Sequence, residues 1–110
     1  MSIEQADKID FVNIEDKTGD VLLSISDHLS WDEDEGQHLL MLQTKLNTYL
    51  SFIEGGQMYR QIPEAAGRHV VINLVGKFPL SEEATKFFRL ASQAIRDAGF
   101  SLRFHHQGSK

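Results

Sequence analysis

Carboxylates, histidines and serines supply nearly all the side chains of this 110-residue chain that could do chemistry, and each group tests a different reaction class. The carboxylates gather at Asp32-Glu33-Asp34-Glu35-Gly36, and a hard cation such as calcium wants several such oxygens in one loop. An EF-hand loop needs glycine after its third ligand and glutamate at its end. With Asp32 and Asp34 aligned as ligands, Glu35 takes the glycine place, so the spacing fails. The run reads instead as the acidic first turn of a helix, where carboxylates meet the positive end of the macrodipole. The imidazoles cluster at His105-His106, with His69 at the start of an apolar segment. Neighbouring residues on a strand point to opposite faces, and His69 and His105 fall at opposite ends if their strands are adjacent and parallel. No metal site is expected.

Ser26-Asp27-His28 contains the three residue types of a hydrolytic triad, yet consecutive residues cannot relay a proton among themselves. No Gly-x-Ser-x-Gly elbow is present, and these residues read as a strand end leading into a helix cap. Gly55-Gly56 follows a helix pattern instead of opening one, so its amides do not build a phosphate cradle. Trp31 reads as a core lid over the preceding hairpin in preference to an exposed anchor, and Tyr59 and Arg60, borne on a connector, read as structural. The expectation is a chain with no catalytic residues, no cofactor and no metal.

The elements that must position these groups are legible. Ile9 to Ile14 and Val21 to Ser26 are apolar segments joined by Glu15-Asp16-Lys17-Thr18-Gly19-Asp20, a hairpin with glycine at a left-handed position. With a loop of Asp16 to Gly19, Glu15 faces Asp20. Val12, Ile14, Val21, Leu23 and Ile25 then share one side, and Phe11, Leu22, Ser24 and Ser26 the other. Ser30-Trp31-Asp32-Glu33 has the form of a capping box and predicts a helix of about 22 residues from that point. Leu39, Leu42, Leu46, Tyr49, Leu50 and Ile53 form its stripe, and Gly55-Gly56 its end. Gln57 to Gly67 is a connector with room for one helical turn around Met58 and Tyr59. Arg68 to Phe78 is a strand with Val70, Ile72, Leu74 and Phe78 inward and Val71, Asn73, Val75 and Lys77 opposed. Ser81 caps a second helix whose stripe is Ala84, Phe87, Phe88, Ala91, Ala94, Ile95 and Ala98. Phe100 to Phe104 is the last strand, with Ser101, Arg103 and His105 on its second face.

The order β-β-α-β-α-β, with helices long enough for crossovers, predicts an α+β two-layer sandwich: a mixed four-stranded sheet with two helices on one face. One domain over residues 1–110, ordered from about 7 to 105, suits the length. The 41% hydrophobic content supports a core, and the absence of cysteine removes disulfide and thiolate chemistry. No apolar run approaches the roughly 20 residues of a membrane span, and the polar start lacks a signal-peptide core. A net charge of −5 argues against general nucleic-acid or anionic-membrane binding. A soluble, cytoplasmic protein is the expectation.

Val21 to Trp31, the stretch Phe52-Ile53-Glu54-Gly55-Gly56, and Gly67 to Ile72 followed by Ala98-Gly99-Phe100 together resemble a family of small uncharacterised bacterial domains with no assigned activity. The likeness spans roughly Asp7 to Phe104 and implies a bacterial cytoplasmic origin. It carries no catalytic residue over to this chain.

Two further features bear on function. Residues 1–55 carry twelve acids and three bases, net −9, and residues 56–110 four acids and eight bases, net +4, which together give −5. The second is the sheet face that two helices cannot cover, on which Phe11, Leu22, Val71 and Val75 stand among Asn73, Lys77, Ser101, Arg103 and His105. That mixture has the composition of a protein interface. The expectation is a non-catalytic domain that binds protein, with a homodimer foremost, through this face. The alternative is a small-molecule or anion-binding domain, or a weak enzyme, using Asn73, Lys77, Arg103 and His105.

Overall fold

Alternation and a positive-φ glycine start the fold. The computed structural model describes residues 8–107, and in it β1 (Phe11–Ile14) and β2 (Val21–Asp27) form an antiparallel hairpin. Gly19 takes φ 77° in the turn, and the Glu15 N–H donates to the Asp20 carbonyl at 2.8 Å. Ile14 pairs with Val21 and Val12 with Leu23, which is the register the alternation predicts.

α1 (Glu35–Glu54) starts later than the Ser30 cap implies. Ser30 closes a local turn instead, its hydroxyl accepting from the Asp32 N–H at 3.1 Å. Asp34 is the true cap, and its carboxylate accepts from the Gln37 N–H at 3.2 Å. Trp31 therefore lies in the loop and not in the first turn, though it is buried as expected. The connector holds α2 (Gln57–Gln61), around Met58 and Tyr59, and a 3-10 turn at Pro63–Ala65.

β3 (Val70–Gly76) runs parallel to β2, and β4 (Ser101–His106) parallel to β3, with α3 (Glu82–Asp97) as the crossover between them. The Ser81 hydroxyl caps α3 by accepting from the Ala84 N–H at 3.1 Å. The sheet order is β1-β2-β3-β4 and the fold is α+β. One face of the sheet, with Val21, Leu23, Ile25, Val70, Ile72 and Leu74, forms a single core with Leu42, Leu46, Tyr49, Phe52 and Ile53 of α1 and Ala84 and Ile95 of α3. Phe78 does not join it. β3 ends at Gly76, so strand alternation no longer governs Phe78, which is 38% exposed where the sequence pattern predicts a core position. Gly76 is needed for packing, since a Cβ there would fall 2.8 Å from Cε1 of Phe104. Among the described residues, no helix is long and apolar enough to cross a membrane.

Candidate functional site

Two buried polar clusters and one open face are the parts of this fold with chemistry to offer. The first cluster lies at the carboxyl end of β2, where parallel strands of open sheets commonly place ligands. Asp27, the last residue of β2, has the parity of the core positions, so its carboxylate turns inward. Its Oδ1 accepts from the Leu29 N–H at 3.1 Å and its Oδ2 lies 2.6 Å from Nε2 of His38. Trp31 stacks on the imidazole with centroids 3.5 Å apart and planes 13° from parallel. Aspartate, histidine and tryptophan are all buried, and among the described residues His38 Nδ1 has no hydrogen-bond partner. Nearby in the fold the two helix starts are tied together, Ser81 Oγ donating to Glu35 Oε2 at 2.5 Å.

This is a histidine–carboxylate pair of the kind that serves general-base catalysis. Here the indole covers the ring and the carboxylate is shared with the loop backbone, so the pair fastens the β2–α1 loop to α1. Ser26 and His28 flank Asp27 in sequence. Both are exposed, and Ser26 points to the opposite face of the sheet.

The second cluster ties the entry of β1 to α1. Lys45 is fully buried, its Nζ 2.9 Å from Asp10 Oδ1 and 2.7 Å from the Lys8 carbonyl. The Tyr49 hydroxyl donates to the Ser24 carbonyl at 2.6 Å and accepts from the Asp10 N–H at 2.8 Å. Burial pushes the Tyr49 phenol well above its ordinary value of 10.0, with the Asp10 charge adding to the shift.

Hydrophobic periodicity passes over both clusters, because it selects only apolar positions. A signal was present: His38, Leu42, Lys45, Tyr49 and Phe52 recur every three or four residues, which puts a histidine and a lysine on the buried stripe of α1.

The open face gathers the interface residues that the sequence suggests. Register sets Leu22, Val71 and Ser101 in one row, Ser24, Asn73 and Arg103 in the next, and Ser26, Val75 and His105 in the third. Phe11 pairs with Ser24 on the edge strand and is 59% exposed. Val71 and Asn73 are less open than the pattern implies, at 7% and 8% exposure. They stand on a central strand flanked on both sides, and Arg103 Nε donates to Asn73 Oδ1 at 3.3 Å. Val71 is nonetheless outside the core cluster. Lys77 follows the end of β3, its backbone N–H bonded to the Asp27 carbonyl at 2.9 Å and its Nζ 5.7 Å from the Phe78 ring.

The histidines outside α1 stay apart. His69 Nε2 meets Ser101 Oγ at 2.7 Å at one end of β4, and His106 Nε2 meets the Lys77 carbonyl at 3.2 Å at the other. Among the described residues, no three histidines and carboxylates are grouped so as to hold a metal ion.

Fold and site together define a small α+β domain with two buried polar anchors and, among the described residues, one sheet face without a helix on it. The chain belongs to a family of unknown function (DUF6572), whose model matches residues 1–108. No curated protein and no solved structure matches it.

Proposed function

We propose that the chain is a non-catalytic binding domain that pairs with a second copy of itself across the open sheet face. One observation carries this reading: exposed Phe11 on the edge strand, with Leu22, Val71 and Val75, shares one sheet face with Ser24, Ser26, Asn73, Ser101, Arg103 and His105. Apolar side chains interspersed with polar ones have the composition of an interface, and two such sheets stack at about 10 Å with their side chains interdigitated. A cytoplasmic setting accords with the cysteine-free composition.

Reading the same face as an anion or small-molecule site has less support. Asn73 is buried and bonded to Arg103, and Lys77 lies over Phe78. Light scattering at micromolar concentration tests the proposal. It predicts twice the chain mass of 12.5 kDa, and a mass of one chain, unchanged at about tenfold higher concentration, would remove self-association.

A further inference from the structure

Two copies stacked by the open face are related by a two-fold axis lying between their sheets. In aligned stacking that axis runs either across the strands or along them, and the charges on the face distinguish the two. Among the described residues of the four strands, Arg103 is the one side chain on this face with a permanent charge. It is exposed on the edge strand β4, in the middle row with Ser24 and Asn73, and its Nε donates to Asn73 Oδ1 at 3.3 Å. An axis across the strands at that row sets β4 over β4 and presses two guanidiniums together with no carboxylate between them. An axis along the strands reverses the strand order across the interface, so that β4 of each copy lies over β1 of the other and β3 over β2. Rows then keep their height. Arg103 meets Phe11 of the second copy, whose ring stands in the same row and is 59% exposed. The two guanidiniums lie about three strand spacings apart, roughly 14 Å. A guanidinium over an aromatic face is an attractive contact. At the hairpin end the same rotation brings Asp20 of one copy over His69 of the other, which lies just before β3 with its Nε2 2.7 Å from Ser101 Oγ. β1 and β2 belong to the half of the chain with net −9, and β3 and β4 to the half with net +4, so the arrangement also lays acid over base.

We propose that two copies stack with their strands parallel and their strand order reversed, the Arg103 guanidinium of each seated on the Phe11 ring of the other. This arrangement rests on self-association through the open face and gives it a specific geometry. The chain has no cysteine, so an introduced thiol is unique. A mixture of Phe11→Cys and Arg103→Cys, treated with a short bismaleimide, should cross-link one variant to the other, since a mixed pair keeps one of its two native Phe11–Arg103 contacts. Neither variant should link to itself. Phe11→Lys sets a like charge against Arg103 and should weaken pairing about tenfold or more in light scattering over a concentration series. Phe11→Lys combined with Arg103→Glu should recover it, because opposite charges then meet. Both positions are exposed, and circular dichroism of every variant should match that of the parent. A parent with the mass of one chain would end self-association and this arrangement with it. A parent that pairs while Arg103→Cys links to itself, while the mixture fails to link, or while the double variant pairs no better than Phe11→Lys, would overturn the arrangement and leave self-association standing.

Discussion

Trp31 lies flat on His38, and that stack is what holds the acidic loop between β2 and α1 in place. The imidazole is pinned at its Nε2 edge by Asp27 at 2.6 Å. Removing the ring would leave a buried carboxylate facing a cavity. His38→Ala should therefore cost about 3 to 5 kcal/mol, read by urea denaturation. Asp27→Asn should cost about 1 to 2 kcal/mol, because an amide still bonds both the ring and the Leu29 N–H. The chain has one tryptophan, so its fluorescence reports on this cluster directly. Equal losses from the two substitutions would show that packing and not the polar pair sustains the loop.

The Lys45–Asp10 pair has no comparable packing substitute. With both groups buried, Lys45→Met should destabilise the fold by about 3 to 5 kcal/mol by stranding the carboxylate. Adding Asp10→Asn should recover part of the loss, since the stranded charge is then gone. Denaturation midpoints of the single and double variants measure the coupling. Strict additivity would contradict a direct interaction.

Tyr49 makes stability depend on alkaline pH, with a sign fixed by its shift. Its phenol is raised in the folded state, so the folded chain keeps this proton after the unfolded chain has lost it. The contribution is full below about pH 10 and declines as pH rises beyond it. Tyr49→Phe should be less stable than the parent at neutral pH by about 1 to 2 kcal/mol, from the lost hydrogen bonds to Ser24 and Asp10. That gap should narrow above pH 10. In a Tyr59→Phe background Tyr49 is the sole remaining phenol, and its absorbance titration should coincide with alkaline unfolding; ionisation near pH 10 in a folded chain would refute its burial.

Strand and helix periods made most of this fold readable. The glycine and the flanking alternation specify the hairpin register, and the valine-rich run specifies β3, because in each case local chemistry and tertiary burial agree. Agreement breaks at three places. Ser30-x-x-Glu33 and Asp34-x-x-Gln37 are both plausible caps, and the second prevails where Trp31 must reach back onto His38. At Phe78 the alternation was carried beyond the end of β3. His38 and Lys45 escaped notice because their burial depends on partners, Asp27 and Asp10, that lie 11 and 35 residues away in sequence. No periodic pattern encodes such pairings. The helix-free sheet face, in contrast, followed from counting two helices against four strands, while the burial of Val71 and Asn73 and the place of Lys77 past the end of β3 needed the structure.

Under the proposed self-association Val75 faces the second copy, while Leu74, one residue earlier, faces the core. Leu74 is 1% exposed and belongs to the core cluster, whereas Val75 is half-buried and outside it. The decisive measurement is the mass by light scattering, with circular dichroism, of Val75→Asp beside Leu74→Asp. A carboxylate on an open face stays hydrated, while one driven into a core or an interface without a partner costs several kcal/mol. Val75→Asp should be folded with the 12.5 kDa mass of one chain, the parent should have twice that mass, and Leu74→Asp should be unfolded. A Val75→Asp chain that still pairs, or that unfolds as fully as Leu74→Asp, would contradict the proposal.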